Sequence, residues 1–424
     1  MMASRCAGRI LCVTSSFPRW AGDSTTPFVL HLVQDLQALG WQVDVLAPHA
    51  PGAALSETLV GVNVERFRYL WPSSLETVCY QGGALVNLRK RKGNALKLPA
   101  LVAAEWLAVL WRLAARHYDL LHSHWILPQG FVGALSARPL RVPHVMTVHG
   151  SDVFALQGRL MQGFKRMALS AVDAVTVNSS ATENAIAGLH VELRDCRRIP
   201  MGVAVRPIDR DSSSILSIRD RYRLGAGPLL VFVGRLVDEK GCADLLEAVR
   251  LLSADLPDVS AMIIGEGQDH AELETRCRVA GIADRVAFLG WVAPEAVLDH
   301  IGAADVFVGP SRTGVDGSVE AQGLTFLEAM VAGTPVVASR LGGIVDSVQD
   351  GVTGLLIDER APEQIAAAVW RLVADPDLWH RLARQARQTV ETRFSREASA
   401  RAFDDLFAAL IAHRRGVRRS ASRR

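Results

Sequence analysis

The chain of 424 residues holds six cysteines, and no two have the spacing of a metal site or a redox pair. Cys6, Cys12, Cys79, Cys196, Cys242 and Cys277 read as free thiols in a reducing compartment. Charge of one sign is not in excess either. The formal net charge is +3, which gives no global pull toward nucleic acid. No apolar run is long and unbroken: Leu98 to Leu113 is interrupted by Glu105 and Arg112 and is short for a membrane span. The N-terminal residues lead straight into a strand, without the apolar core of a secretion signal. No short repeat occurs. These absences point to a cytoplasmic location. At 49% hydrophobic, the chain can bury an ordinary core, and its length suits two or three domains.

Positive charge is nonetheless clustered. Leu88 to Lys97 carries Arg89, Lys90, Arg91, Lys92 and Lys97, and His413 to Arg424 carries six arginines and no acid. Each such charge is worth about 1 kcal/mol near an anionic lipid surface. Leu98 to Leu113, with Trp106 and Trp111, then reads as an amphipathic helix lying on the inner face of the cell membrane. A core helix and a solvated tail are the competing readings.

Strands and helices alternate twice. The first series begins with a strand over Arg9–Phe17, a polar loop with Gly22, a helix opened by Pro27 and a strand over Val43–Ala47. It ends near Ile199. Pro200 to Pro228, rich in proline, glycine, serine and charge, reads as a connector. The second series starts at Leu229–Val233, and two helices fill Pro362 to Ala412. The expected fold is α/β, with two Rossmann-like, doubly wound domains facing across a cleft. Residues 1–205 form the acceptor-side domain and 206–395 the donor-side domain. Residues 396–424 form a helix that crosses back to the first domain, plus the basic tail. In open α/β sheets ligands bind at the carboxyl ends of the strands.

Val315 to Gly343 carries the densest chemistry. Gly323 turns the chain into a short helix at Leu324, which Gly333 and Pro335 stop before a strand over Val336–Ser339. The amides of Leu324 and Thr325 are free donors at a helix N-terminus, an anion site. Glu320 and Glu328 flank it, one placed for a group beyond a phosphate and the other for a ribose. A nucleotide-sugar has that shape. Val233 to Gly241 adds two cations. Arg235 follows a buried strand and Lys240 precedes a helix, so both can converge on a diphosphate. Charge grows on a nucleoside diphosphate as it leaves a sugar, so fixed cations favour the transition state.

On these motifs, and on residues from Ser15–Pro18 through to Gly354–Leu355, the chain resembles the glycosyl transferases group 1 family. These are retaining, nucleotide-sugar-dependent glycosyltransferases of the GT-B fold. The resemblance implies that Arg235 and Lys240 hold the diphosphate and that Glu328 binds the ribose. Glu320 would bond the hydroxyls of the transferred sugar, and His149 would approach that sugar, with Asp152 as its partner. Gly22 would pass near the donor phosphates, Gly323, Leu324 and Thr325 would bind phosphate and sugar, and Gly234, Gly265, Gly267 and Val292 would border the nucleotide. It also implies a hexose as the transferred group, a carbohydrate or lipid-linked acceptor, a place in surface polysaccharide or glycolipid synthesis, and no metal or other cofactor. Two departures touch the donor pocket. Glu320-Ala-Gln-Gly323 replaces the common Glu-Gly-Phe-Gly, and Gly22 stands alone where relatives have a pair.

His122 and His124 share a strand face, and no third ligand is evident for a metal. His124, Trp125 and Gln129 read as acceptor-side lining. A nucleotide-sugar epimerase and a catalytically silent nucleotide-sugar-binding protein stay open as alternatives.

Overall fold

The computed structural model describes residues 7–23, 25–80 and 83–421. They form two compact units. The first comprises residues 1–178, 182–202 and 396–424; the second comprises 179–181 and 203–395.

The first unit is built on eight strands: β1 (Gly8–Val13), β2 (Trp41–Pro48), β3 (Ser56–Leu59), β4 (Val62–Phe67), β5 (Leu120–His124), β6 (His144–Val148), β7 (Ala174–Val177) and β8 (Cys196–Arg198). Their order is β3-β4-β2-β1-β5-β6-β7-β8. All neighbours run parallel except β3 and β4. A parallel sheet is covered on both faces, and β5 and β6 are buried at every position. The chain leaves β1 in one direction and returns beside it with β5, so the β1/β5 boundary is a topological switch point.

The helix Pro27–Ala38 has proline in its first turn and buries Val29, Leu32, Val33 and Leu36, one face of a 3.6-residue period. The last helix, Arg396–Ala421, packs on it. Arg396 forks onto Asp35 at 2.6 and 2.9 Å. The Trp41 indole donates to Asp404 at 2.8 Å. Phe403 and Phe407 are fully buried beside His122, each worth about 1.5–3 kcal/mol of apolar burial. The basic tail from His413 is thus helical as far as Ala421.

The helix Leu98–Ala115 is neither a plain core helix nor a free one. Leu101, Glu105, Val109 and Leu113, four positions apart, face the core. Trp106, Leu107 and Trp111 are 40%, 58% and 58% exposed on the other side. Gly93–Ala115 is the one helix among the described residues long and apolar enough to cross a membrane. It is docked on the sheet instead, with Arg112 and Arg116 both paired to Glu65 of β4. The side chains of Arg89, Lys90 and Lys92 lie outside the described residues.

The second unit holds β9 (Leu229–Val233), β10 (Ser260–Ile264), β11 (Val286–Gly290), β12 (Val306–Gly309), β13 (Val336–Ser339) and β14 (Leu355–Ile357). Their order is β11-β10-β9-β12-β13-β14, and every pairing is parallel. The order reverses at β9/β12, the second switch point. Two expectations change. The connector is not structureless: Ser213–Tyr222 is a helix whose buried residue is Ile215, and a serine-rich, charged stretch shows no apolar face from which to read it. The region after Pro362 contains three helices, Pro362–Ala374, Pro376–Thr389 and Arg396–Ala421, rather than two.

Candidate active site

In the second unit the loops after β9, β10 and β12 meet at the switch point. Glycine makes their contact feasible. A Cβ on Gly265 would lie 1.9 Å from the Gly234 carbonyl oxygen, and one on Gly267 would lie 2.0 Å from that of Leu236. Gly241, at φ +69°, would bring a Cβ within 1.8 Å of the Pro310 carbonyl oxygen. Backbone bonds seal the arrangement: Gly234 N–H to Ile264 at 3.0 Å, Leu236 N–H to Glu266 at 2.9 Å and Arg312 N–H to Glu239 at 2.8 Å. Gly290 ends β11 with φ +63°. Beyond it Trp291 is exposed, while Val292 packs on the core.

A single turn of helix, Asp238–Lys240, carries Lys240. The Lys240 ammonium donates to Glu320 Oε2. Arg235 is exposed and makes no ion pair with described residues, yet its charge reaches Glu320. Burial alone would raise the Glu320 carboxyl. Lys240, then Arg235 and the Gly323 amide, outweigh that and hold it below the usual carboxylate range. The loop bearing Glu320 is pinned from behind: Gly343 N–H donates to the Glu320 carbonyl at 2.8 Å.

Gly323 takes φ +75° and starts the helix Leu324–Val331. A side chain there would meet the Phe326 ring at 2.4 Å. Phe326 N–H bonds the Gly323 carbonyl at 3.1 Å, which leaves the amides of Leu324 and Thr325 as the open donors of the first turn. Glu328 sits one turn further. Its carboxylate has no hydrogen-bond or salt-bridge partner among the described residues, and burial pushes it up to about 7. Two cations, a paired acid, an unpaired acid and a helix N-terminus thus belong to one sheet edge.

Arg312 carries no mark in the sequence, and only the fold shows its part. It is 9% exposed and forks onto Asp244 at 2.5 and 2.8 Å. It also reaches Asp238 at 2.7 Å. Its guanidinium therefore holds the turn that presents Lys240. The partners lie 68 and 74 positions away, and nothing local marks them.

In the first unit the β1/β5 switch point gathers the loop with Gly22 and the segment Trp125–Gly130. Gly22 is exposed at φ +85°, and a Cβ there would meet nothing within 4 Å. His149 follows β6. Phe28 and Trp125 pack around its ring at 5.0 and 4.9 Å, and its Nε2 lies 2.9 Å from Nδ1 of His124. Asp152 is otherwise occupied. Its two oxygens accept from the amides of Ile126 at 2.9 Å and Gly150 at 3.0 Å, so it ties the β5 and β6 loops together. Burial still lifts it to about 6. Gln129 is buried and donates to Glu105 at 3.3 Å. It therefore faces the core helix rather than lining an open surface.

The third metal-ligand candidate that the sequence left open is Cys12 of β1, paired in register with His122. One donor atom each of Cys12, His122 and His124 lies within 4.8 Å of the others. A tetrahedral zinc takes four such ligands, with bonds of about 2.0–2.3 Å. Burial pushes the Cys12 thiol up to about 12 and His122 down to about 3, so the trio is protonated at sulfur and neutral at the ring.

Residues 217–389 match the family described as Glycosyl transferases group 1, and residues 26–206 match Glycosyltransferase Family 4. The GDP-mannose-dependent alpha-(1-6)-phosphatidylinositol monomannoside mannosyltransferase of Mycobacterium tuberculosis (strain ATCC 25618 / H37Rv) is 32% identical, over 87% of this chain and 90% of that protein. The chain belongs to the glycosyl transferases group 1 family. This glycosyltransferase is also 32% identical to the D-inositol 3-phosphate glycosyltransferase of Acidothermus cellulolyticus, over 68% of each chain. Its fold is GT-B. Anabaena Alr3699/HepE, solved in complex with UDP, superposes with a TM-score of 0.73 at 19% identity, covering 95% of this chain and 100% of that one. The sucrose-phosphate synthase of Thermosynechococcus elongatus gives 0.73 at 23% identity, covering 96% and 100%.

Proposed function

We propose that this glycosyltransferase moves a hexose from a nucleotide-sugar to a carbohydrate or lipid-linked acceptor, with retention of anomeric configuration, in surface polysaccharide or glycolipid synthesis. The observation that carries the reading is the Lys240–Glu320 pair at the β9/β12 switch point, beside the free Arg235 and the unpartnered Glu328. Arg235, Lys240, Leu324 and Thr325 take the diphosphate, and Glu328 takes the ribose. Gly323 opens the helix N-terminus to the phosphate. Gly234, Gly265, Gly267 and Val292 border the nucleotide. Glu320, kept ionised, accepts from hydroxyls of the departing sugar. Two fixed cations neutralise the leaving diphosphate, so the chemistry calls for no metal. Retention follows if the leaving phosphate takes the acceptor's proton on the face where attack occurs, and then no side chain acts as nucleophile. For the first unit the roles rest on the family resemblance: His149 for the transferred hexose and Gly22 for the donor phosphates, with Asp152 tying the loop after β6, which follows His149, to the loop after β5.

The mycobacterial relative makes GDP-mannose the first donor to test and a phosphatidylinositol-type glycolipid the first acceptor. The outward face of Leu98–Ala115, with Trp106, Leu107 and Trp111, suits peripheral attachment to the inner face of an anionic membrane. A thermal-shift screen of nucleotide-sugars identifies the donor, because a ligand that binds the folded form raises its stability. Transfer or slow hydrolysis of that donor supports the reading. Isomerisation of the donor without acceptor supports the epimerase, and binding with no turnover the silent protein. Replacing Trp106 and Trp111 by serine is expected to release the protein from anionic vesicles in cosedimentation; unchanged sedimentation rules out attachment through this face.

A further inference from the structure

His124 is the last residue of β5 and is fully buried. Its Nδ1 lies 2.9 Å from Nε2 of His149, and the two ring planes are within 13° of parallel. Its other nitrogen, Nε2, is buried with no hydrogen-bond partner among the described residues. The nearby groups are Cys12, His122 and the Trp125 ring. A protonated thiol is a weak acceptor, and no nitrogen of His122 makes a hydrogen bond to Nε2 of His124.

A single hydrogen bond between two neutral imidazoles can be drawn in two ways. In one, His124 donates from Nδ1, keeps a bare lone pair on Nε2, and leaves the His149 proton on Nδ1. In the other, His149 donates from Nε2, and His124 must carry its proton on Nε2, where no acceptor waits. A buried N–H without a partner is rarer and costlier than a buried lone pair without one. Burial keeps both rings neutral, so each holds one proton and the choice is between these two states.

We propose that His124 is a positioning residue that fixes the tautomer of His149, so that His149 presents an Nδ1–H donor and not a lone pair. Phe28 and Trp125 hold the His149 ring in the orientation this bond requires. His149 therefore donates to an oxygen of its ligand and does not withdraw a proton from it. That the ligand oxygen belongs to the transferred hexose rests on the proposed function. The pairing itself does not.

Long-range proton–nitrogen NMR on histidine-labelled protein reads both rings at once. His124 and His149 are assigned from the His124→Asn and His149→Asn variants. The expected result is a proton on Nδ1 in both rings; a proton on Nε2 in both overturns the proposal. Replacement gives a second readout. Asparagine places an amide N–H near the Nδ1 position, and leucine does not. His124→Asn is expected to keep turnover within about threefold of wild type. His124→Leu is expected to lose on the order of tenfold in kcat, with little change in donor KM. Equal losses in the two variants also overturn the proposal. If His124→Leu fails to fold, the spectrum of the wild-type protein still decides. Unimpaired transfer by His149→Ala would remove the sugar contact from the proposed function while leaving the tautomer result intact.

Discussion

Lys240 and Glu320 are joined by an ion pair across 80 positions of chain. The bond brings the β9 loop to the segment that opens the helix Leu324–Val331. It also explains how a largely buried carboxylate stays charged. The Glu320 carboxyl, held below its usual range, contributes stability that is present above pH 4.5 and is lost as pH falls through its folded value. Lys240→Ala leaves burial opposed by Arg235 and the Gly323 amide alone. The acidic limb of kcat/KM is expected to move upward in pH. A limb that stays in place in pH–rate profiles contradicts the coupling.

Glu328 has the opposite character. It is lifted to about 7 by burial, with no partner among the described residues. An ionised carboxylate makes the stronger hydrogen bond to a ribose hydroxyl. Affinity for the nucleotide-sugar donor, whose diphosphate has no proton titrating near neutrality, is expected to tighten from about pH 6 to about pH 8 with release of a proton. Calorimetry in buffers of different ionisation heat measures both. Glu328→Gln is expected to flatten the pH dependence and weaken binding by about tenfold or more. A pH-independent wild-type affinity contradicts this role.

Arg312 binds Asp244 and Asp238 under the turn that carries Lys240. Removing one member of a buried pair strands the other, at a cost of about 3–5 kcal/mol. Arg312→Met is expected to lower unfolding stability by that order in urea titrations. Turnover should fall as well in the protein that remains folded. A loss below about 1 kcal/mol would mean the pair behaves as an exposed one.

Two glycines separate crowding from strain. Gly265→Ala places a methyl 1.9 Å from the Gly234 carbonyl oxygen at φ +133°. Gly22→Ala meets open space at φ +85°. The second change is expected to cost about 1–2 kcal/mol of backbone strain. The first adds about 1–3 kcal/mol of overpacking and loosens the loops after β9 and β10. Thermal melts and donor affinity of the two variants test the ranking; equal effects contradict it.

Much of the fold is readable from local signals. Leu229–Val233 and Val336–Ser339 form strands over the residues expected, because short apolar runs between glycine, proline and polar loops are a short-range pattern. The cations and acids of the second unit are legible because they sit beside strand ends. What escapes is set by distance or by a faint pattern. The edge strand Ser56–Leu59 has one fully buried residue, so it lacks an apolar signature. The helix His270–Val279 buries only Leu273 and Cys277, and Pro294–Ala303 buries only its last three residues, too little to set a period. Arg312, Cys12 and the His124–His149 bond depend on which strands become neighbours, and that order is not written in any single stretch.

Arg235 allows the most direct test, since it is exposed and makes no ion pair with the described residues. Arg235→Ala is to be compared with wild type in both donor dissociation constant and kcat for transfer. If the cation stabilises the departing diphosphate, kcat falls by about 10²–10³ while the dissociation constant rises less than tenfold. Near-normal turnover, or a loss confined to donor binding, would contradict the account.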